Sequence, residues 1–372
     1  MYKTEKTYFI TGGGTGGHIY PAIAVADYLR KYDQSAKIYY IGNPQNLEYK
    51  IAEQKGYDFL PVNVHGMPRK ISFGFIKWII DLIIACGKSW MYIMKYKPDA
   101  IFGTGGYVSA PILLAAVVSN KVPYIMHDCD AQPGLVTRKL APKAKVVSLS
   151  FECAKEYINN PNCRINGNPI REAFKTLTKT EARNYLGLEN KTTLCIMGGS
   201  QGAKTINYAT VEILKTLSKD YDLQIIFQTG KKNYENTIER LKEVYPSYEY
   251  DRNLLIKPYF DDMVTVLKAS DIAVSRAGSL SISELCASSI ASILIPYPFA
   301  AADHQRKNAQ YMVDKNAALY LEDSETSPTM LLEKITELVK NPDLLDNLQK
   351  NAGFLAKFDA AENIAKELQN LV

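Results

Sequence analysis

Short apolar runs rich in β-branched residues recur along the 372-residue chain at 8–11, 38–41, 100–102, 124–126, 146–149, 194–197, 224–228, 254–257, 272–275 and 292–296. Between them lie longer stretches in which apolar positions return every three to four residues. Continuous apolar runs predict strands buried on both faces, and the three-to-four spacing predicts helices with one buried stripe. Strand alternating with helix predicts parallel sheets covered on both sides, so the fold class is α/β. With about five strands per half, the chain is expected to form two doubly wound domains, and 372 residues suit two domains better than one. Asn166, Gly167, Asn168 and Pro169 make a turn-rich break between the halves. The expected domains are therefore 1–165 and 166–347, with a terminal segment 348–372, and the active site is expected in the cleft between the domains.

Three of the apolar runs stop at a knot of glycines and are followed by a helical pattern: residues 12–21 (GGGTGGHIYP), 103–111 (GTGGYVSAP) and 198–203 (GGSQGA). Glycine lets bare backbone approach a ligand, and the helix that follows turns its unpaired N–H groups and positive dipole end toward an anion. Each loop is a candidate phosphate cradle. Gly12, Gly14 and Gly17 spell GxGxxG, but after the run at 38–41 the chain reads Gly42, Asn43, Pro44, without the acid that a nicotinamide site uses on ribose. None of the loops ends in the GK[ST] of a Walker motif.

Charge changes the picture of the two halves. The chain carries 44 Lys and Arg against 39 Asp and Glu. That excess is too mild to suggest nucleic acid. Residues 1–165 hold 20 basic against 12 acidic residues, +8, which leaves 24 against 27, −3, for the remainder. Only the first half is expected to face an anionic surface. It also holds an unusual segment, 67–94, with Phe73, Phe75, Ile76, Trp78 and Ile79 close together and Arg69, Lys70 and Lys77 beside them. Charges at Lys77, Asp81 and Lys88 interrupt it too often for a bilayer-spanning helix. Two readings stand: a peripheral membrane patch, or a helix buried against the sheet. Six scattered cysteines without a CxxC pair, and no leader-like run before the first strand, point to a reduced cytosolic protein without structural zinc.

Candidate chemistry gathers at the ends of strands. His18 follows the first glycines where a helix begins, and can serve as general base or donate to phosphate or sugar. Residues 275–285 (SRAGSLSISEL) place Gly278 at a tight turn and the amides of Ser279, Leu280 and Ser281 at a helix start suited to a diphosphate. Glu284, a turn further on, can accept both hydroxyls of a ribose. Gln305 and Asn308 share a face if a helix starts near Asp303, and their amides suit sugar hydroxyls. Asp128 and Asp130 form a DxD pair; glycine loops and helix starts already supply the positive potential a metal would bring, so no metal or other cofactor is expected. Asp128 or Asp130 either positions or deprotonates an acceptor hydroxyl or caps the loop locally.

Taken together, residues 12–26, 103–111, 127–134 (HDCDAQPG), 167–171 (GNPIR), 197–203 (MGGSQGA), 275–285 and 303–309 (DHQRKNA) resemble, in order and over nearly the whole chain, the MurG family of peptidoglycan glycosyltransferases. The resemblance implies the GT-B fold and a last helix, 348–371, crossing back to the first domain. It implies transfer of N-acetylglucosamine from UDP-N-acetylglucosamine to undecaprenyl-diphospho-N-acetylmuramoyl-pentapeptide, at the cytoplasmic face of a bacterial plasma membrane and with no nucleic-acid partner. Donor contacts would come from Thr15, Gly16, Gly17, Asp130, Arg171, Ser200, Phe260 beside uracil, Ser279, Leu280, Ser281, Ile282, Ser283, Glu284 and Gln305. Acceptor contacts would come from Gly14, His18, Gly105, Gly106, Tyr107, His127 and Asp128, with His18 as base and Asp128 as second candidate. The chain departs from the family's HEQN pattern at His127, Asp128, Cys129 and Asp130, which bears on the acceptor contacts. A hydrolysing UDP-N-acetylglucosamine 2-epimerase and a non-catalytic nucleotide-sugar-binding protein share the plan and are the alternatives.

Overall fold

The computed structural model describes residues 5–68, 73–199 and 201–372. Ser200, Arg69 and Lys70 lie outside the described residues, as does the side chain of Phe73. The chain divides into two compact units. The first takes the residues up to Ile170 together with Lys357–Val372, and the second takes Arg171–Ala356.

The first unit carries seven strands: β1 (Thr7–Thr11), β2 (Lys37–Gly42), β3 (Asp58–Pro61), β4 (Ala100–Gly103), β5 (Tyr124–Asp128), β6 (Val146–Leu149) and β7 (Cys163–Arg164). They form one sheet in the order β3-β2-β1-β4-β5-β6-β7, with every pair parallel. Side chains alternate across it: Phe9, Ile101 and Met126 enter one core with Ile112 and Leu113, while Tyr8, Ile10 and Phe102 enter the other with Ile19, Ile23 and Leu29. Burial on both faces is why these strands read as unbroken apolar runs. The second unit repeats the plan with β8 (Thr193–Met197), β9 (Gln224–Gln228), β10 (Leu254–Lys257), β11 (Ile272–Ser275), β12 (Ala291–Leu294) and β13 (Ala318–Tyr320). These are parallel and ordered β10-β9-β8-β11-β12-β13.

Both sheets reverse direction of growth once, between β1 and β4 and between β8 and β11. Thr11 pairs with Gly103 and Met197 with Ser275, so each reversal sets two loops side by side at the carboxyl edge. Ligands of open α/β sheets bind at such points.

The expected last helix over 348–371 is two helices. Pro342–Leu355 ends at Ala356, which is extended, and Ala360–Gln369 follows. The second packs Ile364, Ala365 and Leu368 into the core beneath the helix Gly16–Tyr32, and Tyr32 donates to Glu362 at 2.6 Å. Gly167 allows this return. It has φ +83°, and a Cβ there would lie 2.2 Å from that of Lys357.

The helix Phe73–Tyr96 buries one face against the sheet domain and leaves an apolar stripe exposed on another. Ala85, Ser89 and Ile93 are buried, and the helix packs on Gly106–Ser119. Ile76, Ile79, Ile80, Ile83, Ile84 and Met91 are exposed, Ile83 by 65% and Ile84 by 63%. Phe75 and Trp78 are half-buried and stacked at 5.6 Å, with the Trp78 indole N–H donating to the His65 carbonyl at 2.9 Å. The exposed apolar face therefore runs further along the helix than the cluster at 73–79. Among the described residues no helix is long and apolar enough to cross a membrane.

Candidate functional site

In the first unit the loop after β1 leads into the helix Gly16–Tyr32, and the loop after β4 into Gly106–Ser119. Among the described residues no side chain caps either helix, and neither has an acid in its first turn. Uncapped N–H groups without a competing carboxylate are what an anion requires. Gly14 and Thr15 are exposed, and Gly16, Gly17 and His18 half-exposed, at this edge. Gly106 has φ +71°, and a Cβ there would sit 3.1 Å from His18 Cδ2, so glycine is what lets the second loop close on the histidine ring. Tyr107 lies against Gly14, whose Cβ would meet its ring at 2.9 Å. Gly14, Gly105, Gly106, Tyr107 and His18 are thus brought together.

Three side chains that the sequence does not advertise hold the first loop from behind. Tyr40 donates to the Gly12 carbonyl at 2.5 Å, and Thr104 donates to the His18 carbonyl at 2.7 Å. Glu48, fully buried, accepts from the Gly14 amide at 3.3 Å and from the Asn43 amide at 3.2 Å. The Gly14 amide therefore points into the protein and is not offered to a ligand. The remaining signal for Glu48 is weak: an acid in a helix that follows the second strand.

His127 and Asp128 turn inward. His127 is completely buried, with Nδ1 3.2 Å from Ser148 Oγ and Nε2 3.3 Å from Asn168 Oδ1. Burial pulls its pKa down to about 4. Asp128 accepts from the amides of Asp130 at 3.2 Å and Gly134 at 3.1 Å, and burial, aided by the neighbouring Asp130, pushes its pKa up to about 7. Of the two readings of Asp128, its geometry is that of the loop cap. His127 has both ring nitrogens engaged inside the protein and shapes the loop instead of meeting a ligand. Asp128, Cys129 and Asp130 bring possible metal-ligand atoms within 4.8 Å of one another, but both Asp128 oxygens are already held by backbone N–H groups.

In the second unit Gly278 opens the helix Ser279–Ala287, again with no side-chain cap and no first-turn acid among the described residues. Ser279 and Ile282 are buried and Ser281, Ser283 and Glu284 half-exposed. Ser283 donates to the Ser279 carbonyl at 2.9 Å. Arg171 lies 2.8 Å from Glu284 Oε1. The neighbouring loop after β8 is fixed by Gln228, which donates to the Gly199 carbonyl at 3.3 Å and accepts from the Phe260 amide at 2.9 Å. Phe260 itself is buried. Gln305 stands in the first turn of the helix His304–Asp314, after Ala302 and Asp303, both left-handed at φ +51° and +56°. Its Oε1 accepts from the Tyr297 amide at 3.0 Å, which leaves its NH2 group as the donor end of the side chain. Asn308 is fully buried and donates to the Ala277 carbonyl at 3.1 Å, so it ties the helix to the Gly278 turn and is not open to a sugar. Arg276, which sequence reasoning did not assign, donates to the carbonyls of Ile295 and Pro296 at 3.2 and 3.1 Å and pairs with Asp323 at 2.5 Å. It joins the loop after β11 to the loop after β12.

Known proteins share this arrangement. Residues 8–148 match the glycosyltransferase family 28 N-terminal domain and residues 193–368 the family 28 C-terminal domain. The UDP-N-acetylglucosamine--N-acetylmuramyl-(pentapeptide) pyrophosphoryl-undecaprenol N-acetylglucosamine transferase of Thermoanaerobacter sp. (strain X514) is 36% identical over 366 residues, 98% of this chain and 99% of that protein. The Bacillus subtilis (strain 168) enzyme of the same name is 34% identical over 97% of this chain and 98% of its own. A crystal structure of Acinetobacter baumannii MurG is similar with TM-score 0.78 and 26% identity, covering 98% of this chain and 99% of that one. The Neisseria meningitidis UDP-GlcNAc 2-epimerase bound to UDP-GlcNAc has TM-score 0.68 at 13% identity, covering 99% of this chain and 100% of that one, a likeness of fold alone. Two glycine-looped parallel sheets of the GT-B type, matched domain by domain and joined by end-to-end identity, place the chain in glycosyltransferase family 28.

Proposed function

We propose that this protein is an inverting glycosyltransferase that moves N-acetylglucosamine from UDP-N-acetylglucosamine to undecaprenyl-diphospho-N-acetylmuramoyl-pentapeptide in peptidoglycan synthesis. The observation that carries the reading is the 36% identity along 98% of the chain to a transferase of that printed activity. The site geometry supports it. The uncapped Ser279–Ala287 helix start suits a diphosphate, Glu284 sits a turn inside it for ribose, Phe260 is the apolar residue assigned to uracil, and the NH2 of Gln305, whose Oε1 is already engaged, suits a sugar oxygen. The family resemblance also assigns Thr15, Gly16, Gly17, Asp130 and Ser200 to the donor, and it assigns the first unit's glycine loops to the lipid diphosphate.

In the reaction the muramoyl hydroxyl oxygen attacks the anomeric carbon, the bond from that carbon to the diphosphate oxygen breaks, and UDP leaves with the electron pair. An α-linked donor becomes a β-linked disaccharide. The hydroxyl proton passes to His18, which is half-exposed beside Gly106, whereas Asp128 is enclosed by backbone donors. Helix-start amides stabilise the developing diphosphate charge, a contribution of about 3 kcal/mol for a well-placed donor, and no metal ion takes part. The exposed isoleucine face of Phe73–Tyr96, with Lys77, rests on the anionic cytoplasmic membrane surface that holds the acceptor's tail.

UDP release from UDP-N-acetylglucosamine, measured with and without a short-chain lipid acceptor, tests the proposal. Release that requires acceptor is expected. Acceptor-independent release would instead indicate the epimerase, and no release at all a binding protein.

A further inference from the structure

Arg171 is the first residue of the second unit, and two contacts fix its guanidinium. It lies over the ring of fully buried Phe174, 5.5 Å from the centroid, and NH2 donates to Glu284 Oε1 at 2.8 Å. The Arg171 side chain is 41% exposed and that of Glu284 only 12%. Burial pushes the Glu284 carboxyl up from its ordinary range, and the Arg171 charge works against that push. Among the described residues Oε1 is held by Arg171, and no hydrogen bond reaches Oε2.

A carboxylate has roughly four acceptor positions on its two oxygens. One arginine N–H occupies one of them and leaves enough for both hydroxyls of a ribose. It also sets the rotation of the carboxyl group, which otherwise turns freely at the end of a glutamate side chain. We infer that Arg171 is a positioning residue for nucleoside recognition: anchored on Phe174, it orients Glu284 so that the open oxygen meets the ribose diol. The inference rests on the assignment of Glu284 to ribose. It differs from a role in which Arg171 only neutralises the donor's phosphates, because it makes recognition of the sugar depend on an arginine that need not touch that sugar.

The ratio of affinities for UDP and 2′-deoxy-UDP, measured by calorimetry, separates the two roles. Both ligands carry the same diphosphate and differ by one ribose hydroxyl. A hydrogen bond to a charged group corresponds to a ratio on the order of tenfold or more in the unaltered protein. Arg171→Met should collapse the ratio toward one, and Glu284→Ala should do the same. Arg171→Lys keeps a charged donor and should hold an intermediate ratio. If Arg171→Met weakens both ligands equally and leaves the ratio intact, Arg171 is a phosphate ligand only and the inference is overturned. If Glu284→Ala also leaves the ratio intact, the ribose assignment itself falls. Thermal unfolding is measured for every variant; the Arg171 variants are expected to match the unaltered protein because Arg171 is substantially exposed, and the curve of Glu284→Ala keeps a folding defect from passing as lost recognition.

Discussion

Glu48→Ala tests whether the first glycine loop is held in shape from inside the protein. The substitution removes a fully buried carboxyl group that accepts from the Asn43 amide at 3.2 Å, the Asn46 side-chain amide at 3.3 Å and the Gly14 amide at 3.3 Å. Asn46 is partly exposed and its side-chain amide can turn to water, whereas the backbone amides of Gly14 and Asn43 point inward. Asn43 is only 2% exposed. Its stranded N–H costs about 1–3 kcal/mol. Losing the one methylene that alanine does not retain costs about 0.8 kcal/mol more. Release of the carboxyl from its buried site offsets part of this, so the expected net loss is about 2–3 kcal/mol. For a unit of this size that lowers Tm by roughly 4–12 °C. Calorimetry checks the stability term, and steady-state kinetics checks the functional one. KM for the lipid acceptor should rise, and KM for UDP-N-acetylglucosamine should rise with it, because the altered loop carries Gly14 and His18 on the acceptor side and Thr15, Gly16 and Gly17 on the donor side. A loss under about 0.5 kcal/mol, the range of ordinary surface substitutions, would refute the reasoning if acceptor KM were also unchanged.

His18→Ala should lower turnover by about 10²-fold or more, the usual contribution of a general base, with UDP affinity intact; near-normal turnover would remove His18 as the base. Replacing Ile80 and Ile83 together by Glu should reduce cosedimentation with anionic vesicles without changing Tm, since both side chains are exposed; undiminished vesicle binding would exclude this face as the docking surface. The pH dependence of unfolding should carry two opposed slopes. His127, lowered from 6.5 to about 4, withdraws up to about 3 kcal/mol as pH falls through that window, and His127→Gln should abolish the withdrawal. Asp128, raised from 3.8 to about 7, contributes stability that is present at low pH and lost as pH rises toward 7, so Asp128→Asn should flatten that opposite slope in chemical denaturation.

All ten strands expected from apolar runs are present, and the three that the runs did not reveal, β3, β7 and β13, are sheet edges. An edge strand is short and partly exposed, so Asp58, Arg164 and Tyr320 interrupt or replace the apolar signal there. The glycine loops were legible because a phosphate cradle needs local chemistry, all of it adjacent in sequence. Their supports were not. Tyr40, Glu48 and Thr104 reach the first loop only through the fold, and Arg276 looks like any loop arginine until Ile295, Pro296 and Asp323 surround it. Spacing placed Asn308 beside Gln305 correctly, but spacing carries no depth, and Asn308 is fully buried while Gln305 is partly exposed. The break of the last helix near Ala356 was hidden for the same reason: apolar positions on both sides keep helical spacing although they serve different units.

The two units use one device, a glycine-rich strand-to-helix turn at the reversal of a parallel sheet, and differ in where they keep the adjacent acid. A dinucleotide site needs a carboxylate open to ribose near the end of its second strand. The first unit has an acid in that region, Glu48, but spends both oxygens on its own amides inside the protein, so this acid is not open to a ribose. In the second unit the acid moves onto the helix that begins at Gly278, where Glu284 has one oxygen on Arg171 and, among the described residues, no hydrogen bond on the other. Under the proposed function, a diphosphate attached to a lipid and one attached to a uridine are therefore expected at different units of nearly identical topology. Exchanging the environments of these two acids, more than changing the glycines, is what would alter which diphosphate each unit accepts.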